Sequence, residues 1–223
     1  MNSTQEAEVT VVREGGKKKT ATFVRVYRIA LIGILSAAAF GLMMLDFPLV
    51  WIAPDFYKFD FSELPVIIGA FALGPVAGVV IEFLKNVLHI ITAPSPTVGV
   101  GEFANFAMGV CYVLPASLIY YFKKTKRRAV IGLTISTISC VILGSCLNAF
   151  VLLPMYCRVS ANLTMDIIIS AGHAVHKIIN DLPTFIFFAV APFNLLKYGV
   201  ASIITMLIYK QISRVLKNPM ERV

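Results

Sequence analysis

Two polar side chains stand one helical turn apart near the C-terminal end of the chain, where an apolar stretch of membrane-spanning length begins. They are Asn194 and Lys197, and the following residues are almost all apolar up to Tyr209. An unpaired lysine in hydrocarbon costs roughly 2.5–3.5 kcal/mol on insertion scales, so it marks a functional site with a partner, unless its amine snorkels to the headgroups. Asn194 shares the lysine's face and gains nothing from snorkelling, so the pair predicts the polar wall of a cavity.

A second polar group lies within another apolar stretch. Glu82, Lys85 and His89 share one helix face by i+3 and i+4 steps, and Glu82 can pair with Lys85. Two interpretations stay open for this pair, a structural contact inside a bundle and a direct contact with a ligand. A third is an intramembrane enzyme that uses the three side chains as acid, base and partner. Since no nucleophile or metal set stands beside them, we assign no catalytic residue.

Other polar candidates collect in what we predict to be the outer half of the molecule, and they are Glu102, Asn105, Asn148 and Tyr156. Together they predict a cavity that opens to the exterior. The chain has no G-x-x-x-x-G-K-[ST] loop, so it does not hydrolyse ATP by that motif. His173 and His176 are spaced i, i+3, but no further ligand cluster supports them, so no metal site is predicted.

The composition is that of an integral membrane protein. Hydrophobic residues make up 58% of the chain and charged residues 14%, and the mean hydropathy is +0.81. Soluble domains are about 45–50% apolar and about 25% charged. A length of 223 residues accommodates five or six spans of about 20 residues and no large soluble domain. No small-residue cleavage site follows the first apolar stretch, so we expect no signal peptide.

The positive charge is concentrated in three places, which sets the expected orientation. Basic residues cluster before the first apolar stretch, at 123–128 and after the last apolar stretch, and the net charge is +8. We interpret this distribution as membrane orientation rather than nucleic-acid binding. The positive-inside rule puts all three clusters in the cytoplasm, so an even number of spans separates each from the next.

Six spans satisfy this requirement and predict an all-α six-transmembrane-helix bundle with both termini cytoplasmic. Residues 1–24 form a basic cytoplasmic tail, 25–213 a single membrane domain with its site near the extracellular side, and 214–223 a second tail. The expected spans are 26–45, 62–74, 76–91, 102–122, 129–153 and 192–209. Ser62 is the expected N-cap of the second. Residues 154–191 are expected to form a partly helical outer segment across the bundle.

Small residues recur along the first expected span at Gly33, Ala37 and Gly41. Such an i, i+4 ladder lets another helix approach closely in lipid. The spacing alone does not distinguish packing within the chain from docking of a partner.

Several motifs resemble those of one family. They are residues 45–48 (LDFP), 59–65 (FDFSELP), 69–75 (GAFALGP), 82–86 (EFLKN), 99–106 (GVGEFANF), 148–156 and 192–197 (PFNLLK). In these segments the chain resembles the substrate-binding S components of energy-coupling factor (ECF) vitamin transporters, specifically the riboflavin-binding ones.

The resemblance implies a non-enzymatic subunit, without a cofactor, in the plasma membrane of a bacterium. Such a subunit captures riboflavin outside the cell and docks on a transmembrane coupling subunit driven by two cytoplasmic ATPases. The ladder at Gly33, Ala37 and Gly41 would be the docking face. An S component for thiamine or biotin would share this architecture and stays an alternative.

For the site, the resemblance implies that Asn194 or Asn148 meets the imide edge of the flavin, while Lys197 donates to a ring or ribityl oxygen. The remaining candidates for substrate contact are Met43, Leu45 and Phe47 around the ring, with Glu82, Lys85, Glu102, Asn105 and Tyr156. With no arginine expected in the outer site, a phosphate would lack a bidentate partner, which favours riboflavin over its phosphorylated forms.

Overall fold

The structure is a computed structural model that describes residues 3–93, 99–159 and 163–217. Parts of the expected loop after the third span, of the expected outer segment and of both tails lie outside these residues. The described chain is mostly helical. Its helices are α1 Ser3–Met43, α2 Glu63–Leu73, α3 Pro75–Thr92, α4 Val100–Phe122, α5 Lys126–Leu147, α6 Leu153–Val159, α7 Met165–Val175, α8 Leu182–Phe185 and α9 Ala191–Lys217. A short antiparallel hairpin joins β1, Phe47–Pro48, to β2, Lys58–Phe59.

Within the described ranges, five helical stretches are long and apolar enough to cross a membrane. They are Thr22–Met43, Pro75–Thr92, Val100–Phe122, Lys126–Val159 and Leu182–Tyr209. The expected spans at 76–91 and 102–122 therefore match α3 and α4 closely. The limits expected for the second span, 62–74, match α2 at each end to within one residue. Its 11 residues are nevertheless fewer than the about 20 needed to cross a membrane.

Helix α2 nevertheless occupies the centre of the bundle, where it packs against α1, α3, α4 and α9. It ends at Gly74, whose φ of 103° is a conformation that favours glycine, and α3 follows at once. Arg28 reaches across from α1 and donates a hydrogen bond of 2.7 Å to the Leu73 carbonyl. Ser62 occupies the N-cap position of α2 but makes no side-chain cap. Its hydroxyl instead accepts a hydrogen bond from Lys85, so the predicted capping role is wrong.

Two of the predicted boundaries, both set at prolines, are wrong. The fifth span does not end at 153, because α5 continues through a π-helical turn, Asn148–Leu152, into α6. The last span does not begin at Pro192, because α8 continues through a second π-helical turn, Ile186–Val190, into α9. Each turn closes with an i+5 hydrogen bond, from the backbone N–H of Leu153 and of Ala191. The wider turn accommodates the following proline, which lacks an N–H and would clash with the carbonyl four residues earlier.

The segment between these helices is partly helical, as expected. Thr164 caps α7 by accepting a hydrogen bond from the Ile167 amide, and α7 is too short to cross a membrane. Asp181 then begins α8 in a capping box with Thr184. Hydrogen bonds from the Thr184 side chain and backbone lower the pKa of the Asp181 carboxyl. A strong helix start at residue 182 is therefore encoded locally, and it extends the last span by ten residues relative to the prediction.

Candidate ligand-binding site

A cavity of about 470 Å³ opens between the α1–α2 loop and the neighbouring ends of α3, α4, α6 and α9. Its volume falls within the range of about 300–1,000 Å³ typical of small-molecule sites. The lining residues are Met43, Asp46, Phe56, Tyr57, Lys58, Asp60, His89, Gly101, Glu102, Ala104, Asn105, Met108, Asn148, Leu152, Leu153, Tyr156, Leu163, Phe193, Asn194, Lys197 and Tyr198.

The cavity brings together most of the side chains that the sequence singled out for substrate contact. Those that line it are Met43, Glu102, Asn105, Asn148, Tyr156, Asn194 and Lys197. The other four lie outside the lining. Leu45 and Phe47 are exposed, and Glu82 and Lys85 are buried behind the wall.

Asn194 lines this space, and its side chain contains a hydrogen-bond donor that is not used. Its side chain is 4% exposed, and its Nδ2 has no hydrogen-bond partner among the described residues. A buried polar group left unpaired costs about 1–3 kcal/mol, so buried polar atoms are nearly always bonded. An unpaired donor buried within the cavity wall therefore marks Asn194 as a residue whose amide can turn to meet a ligand acceptor.

Lys197 is buried and, as expected for a buried lysine, has a partner of opposite charge, Asp60. Its Nζ lies 2.7 Å from Oδ2 of Asp60, while Oδ1 of Asp60 accepts a hydrogen bond of 2.8 Å from the Ser62 amide. Burial alone would raise the pKa of the Asp60 carboxyl. The positive charges of Lys197 and Lys85 outweigh burial, and together with the hydrogen bonds to this carboxylate they lower its pKa from 3.8 to about 2.

Asp60 was not a predicted site residue, although it lies in the FDFSELP motif. A periodic pattern reveals which residues of one helix share a face. It does not reveal a contact between residues 137 positions apart.

Tyr57 is a second lining residue that was not among the predicted site residues. Its hydroxyl donates a hydrogen bond of 2.7 Å to Oδ1 of Asn148, and burial, then the nearby Tyr156, raises the pKa of Tyr57. Nδ2 of Asn148 donates to the Gly144 carbonyl at 2.9 Å. The amide of Asn148 is thus held from both sides, with one N–H and one lone pair still available for a ligand.

Aromatic and other apolar side chains complete the cavity. The ring of Tyr57 lies 5.4 Å from that of Phe193 between centroids, within the usual range for aromatic contacts. Met43 and Met108 add polarisable apolar side chains to the lining. A cavity with apolar walls and a few fixed amides and charges suits a planar ligand with a polar edge.

Behind the wall, a buried ionic cluster joins α2, α3 and α4. Lys85 lies 2.8 Å from Glu82 and 3.1 Å from Glu63, which confirms the predicted contact between Glu82 and Lys85. The lysine also donates to Asn105 at 3.4 Å, and Asn105 lines the cavity. Gly109 makes room for the cluster, because a Cβ there would collide with the Glu82 carboxyl. This geometry favours the structural interpretation, with contact to the cavity through Asn105.

Two more polar contacts lie on the cavity wall. Nδ1 of His89 is 3.0 Å from Oε1 of Glu102, and Nζ of Lys58 is 3.1 Å from Oδ1 of Asp46. Across the described ranges, histidine, cysteine and carboxylate side chains form no group of three that could hold a metal ion.

The small-residue ladder of α1 lies on the surface of the protein. Gly33, Ala37 and Gly41 are all exposed, and a Cβ added at either glycine would meet no described atom within 4 Å. The ladder is therefore not used for packing among the described residues.

Comparison with known proteins gives consistent matches over most of the chain. The family model for the ECF transporter, substrate-specific component, matches residues 27–209. Riboflavin transporter RibU of Staphylococcus aureus (strain TCH60) is 36% identical over 191 residues, covering 86% of this chain and 93% of that protein. Riboflavin transporter FmnP of Bacillus subtilis (strain 168) is 32% identical over 186 residues, covering 83% and 91%.

A solved structure agrees with these matches. It is the structure described as "Structure and mechanism of the S component of a bacterial ECF transporter". It aligns with this chain with a TM-score of 0.67 and 33% sequence identity, and the alignment covers 87% of this chain and 99% of the solved chain. Such components belong to transporters and are not enzymes, which sets aside the catalytic interpretation of Glu82, Lys85 and His89. The chain belongs to the substrate-specific components of ECF transporters.

Proposed function

We propose that this chain captures riboflavin from outside the cell, as the substrate-binding subunit of an ECF importer. The observation that carries the proposal is the unpaired Asn194 amide beside Lys197 in a cavity with apolar walls. The related proteins of Staphylococcus aureus and Bacillus subtilis are riboflavin transporters, which identifies the vitamin. Riboflavin is then a transported substrate, and no cofactor is required.

The ligand chemistry matches the free groups of the cavity. The imide edge of the flavin ring offers two carbonyl acceptors and an N–H donor, and an asparagine amide offers the complementary donor and acceptor. Asn194 supplies its free Nδ2, Asn148 retains one N–H, and the Lys197 ammonium has donors beyond the one used by Asp60. The ring itself lies against Tyr57 and Phe193. Leu45, Phe47, Glu82 and Lys85 then act indirectly, by shaping the outer loop and the wall.

The proposed topology keeps six membrane helices, with the central α2 as the sixth. Its 11 residues are mostly buried among four neighbouring helices, so it lies inside the membrane domain without meeting lipid along a full span. With α2 counted, each basic cluster is separated from the next by an even number of crossings, and both termini are cytoplasmic. The membrane is then the plasma membrane of a bacterium.

The proposed partners are a transmembrane coupling subunit and two cytoplasmic ATPases, which supply the energy that this chain does not. The open face of Gly33, Ala37 and Gly41 supports a docking role, because small residues allow close approach of a second helix in lipid. The residues of this face are exposed and are therefore available to a partner.

The test is a titration of the purified, detergent-solubilised protein with riboflavin, followed by quenching of flavin fluorescence. Asn194→Ala and Lys197→Ala are compared with Asn180→Ala and Lys177→Ala, which change the same residue types at exposed positions outside the cavity. We expect stoichiometric quenching, retained by the controls. Asn194→Ala loses a neutral hydrogen bond of about 0.5–1.5 kcal/mol and should bind about two- to tenfold more weakly, whereas Lys197→Ala loses a charged one of about 1.5–3 kcal/mol and should bind at least tenfold more weakly.

Thiamine and biotin serve as competitors in the same titration. If a folded sample does not quench riboflavin but binds thiamine, the architecture stands and the vitamin is wrong. Equal losses in the cavity and control variants would instead remove Asn194 and Lys197 from the binding site.

A further inference from the structure

The positively charged side chains of the cavity lining are matched by carboxylates of the same lining. Lys197 pairs with Asp60 at 2.7 Å and Lys58 with Asp46 at 3.1 Å. The lining residues include no arginine, and Arg158 of α6 is exposed outside it. The described cavity therefore offers N–H donors without net positive charge from its lysines.

The two lysine pairs lie at different depths. The side chains of Lys197 and Asp60 are 9% and 4% exposed, whereas those of Lys58 and Asp46 are 54% and 30% exposed. The pair of Lys58 and Asp46 thus lies at the mouth of the cavity and the other at its floor. The mouth pair also links the two strands of the hairpin, because Asp46 directly precedes β1 and Lys58 begins β2.

The depth difference dictates where a phosphate on a flavin would have to lie. Burying a charged group without a partner is very costly, and the deep lysine is already neutralised by Asp60. A phosphate at the end of the ribityl chain would therefore remain at the solvated mouth, next to Lys58. There it would also meet the negative charge of Asp46, which already forms an ion pair with the Lys58 ammonium.

We propose that Asp46 is a specificity-determining residue that makes this component select riboflavin over its phosphomonoester, flavin mononucleotide. The proposal rests on the proposed function and adds to it a residue and a mechanism. Asp46 neutralises Lys58 and repels a phosphate, while the uncharged ribityl alcohol is unaffected. The plain alternative is that the pair only fastens the hairpin, and that alternative changes the affinity for both flavins equally.

The experiment measures Kd for riboflavin and for flavin mononucleotide in parallel. The variants are Asp46→Asn, the double variant Asp46→Asn/Lys58→Gln, and the control Asp55→Asn, which removes an exposed carboxylate of the same loop outside the cavity lining. Exposed ion pairs are worth about 0.2–1 kcal/mol. Asp46→Asn should therefore bind flavin mononucleotide about two- to fivefold more tightly at low salt, and its preference for riboflavin, taken as the ratio of the two Kd values, should fall by the same factor.

Three further outcomes are expected. The double variant should lose the gain in affinity for flavin mononucleotide, since Lys58 provides the attraction. Asp55→Asn should show no gain. Raising the salt concentration to 0.5 M should reduce the gain of Asp46→Asn by screening. An equal shift for both flavins, a gain that persists without Lys58, or the same gain in Asp55→Asn would overturn the proposal. So would wild-type protein that binds both flavins equally, and this would leave the proposed function intact. Wild-type protein that binds no riboflavin refutes the proposed function itself.

Discussion

The buried contact between Lys197 and Asp60 predicts strong coupling between two substitutions. Lys197→Met keeps an unbranched side chain of similar length but removes the ammonium from Asp60, which is 5% exposed. Asp60→Asn leaves the lysine without its counter-charge. Removing one partner of a buried ion pair costs about 3–5 kcal/mol, because the other charge is left uncompensated. The double variant retains neither charge, so it should recover much of this loss.

The magnitude follows from the pKa of Asp60, which falls from 3.8 to about 2. A difference of about 1.8 units at 1.36 kcal/mol per unit is about 2.4 kcal/mol in favour of the charged carboxylate. Lys85 supplies part of this attraction, but burial opposes it, so the gross attraction is larger than the net value. We therefore expect a coupling energy of about 2 kcal/mol between Lys197→Met and Asp60→Asn.

The assay is thermal unfolding of the ligand-free protein in detergent at pH 7, for the wild type, both single variants and the double variant. With about 2–4 °C of Tm per kcal/mol for a chain of this size, each single variant should lose roughly 6–20 °C, and the double variant should lose clearly less than their sum. Lys177→Met and Asp55→Asn, at exposed positions, form the control cycle. Additivity of the cavity pair within about 0.5 kcal/mol, as expected of independent sites, would refute the argument.

Three further results are expected. The lowered pKa of Asp60 stabilises the fold above pH 3.8, and this contribution is lost only as the pH falls towards about 2. The coupling energy between Lys197→Met and Asp60→Asn should therefore be the same at pH 5 and pH 7. A lower coupling energy at pH 5 would contradict this prediction. Gly144→Ala, whose Cβ would collide with side chains of the cavity wall, should weaken riboflavin binding about tenfold in the fluorescence titration, whereas Gly199→Ala, with no described atom within 4 Å, should not. Ala37→Leu should abolish vitamin uptake in cells while the purified variant keeps its flavin affinity. Loss of flavin affinity would contradict a docking role for the ladder. The same uptake defect in the control Ala38→Leu, at an exposed neighbouring position, would contradict it as well.

The polar side chains of the site were predictable where one helix presents them. Asn194 and Lys197 lie on one face because of their spacing, and both line the cavity. The contacts that hold them were not predictable in the same way. Asp60 and Tyr57 belong to the α1–α2 loop, and each reaches a partner far away in sequence. Their positions depend on how the loop folds over the bundle, and no local periodicity encodes that.

The membrane helices were predictable to the extent that apolar length defines them. Hydropathy gave the limits of α3 and α4 to within two residues. It also gave the limits of α2, but it did not show that this helix is too short to cross a membrane, because a helix surrounded by other helices can be apolar without reaching the length of a span. The sequence singled out Lys85 but not Glu63, the buried carboxylate that pairs with it, because the two residues belong to different helices.

The two wrong boundaries have a common cause that also bears on the site. Pro154 and Pro192 each follow a π-helical turn directly beside the cavity, and such turns are frequent at functional sites. One additional residue in a helix rotates everything after it by about 100° relative to the regular pattern. Asn194 and Lys197 both follow their turn, so their relative position is preserved and the spacing argument held. Asn148 begins the other turn and Tyr156 follows it, so the two line the same cavity with a phase that a regular helix would not give them.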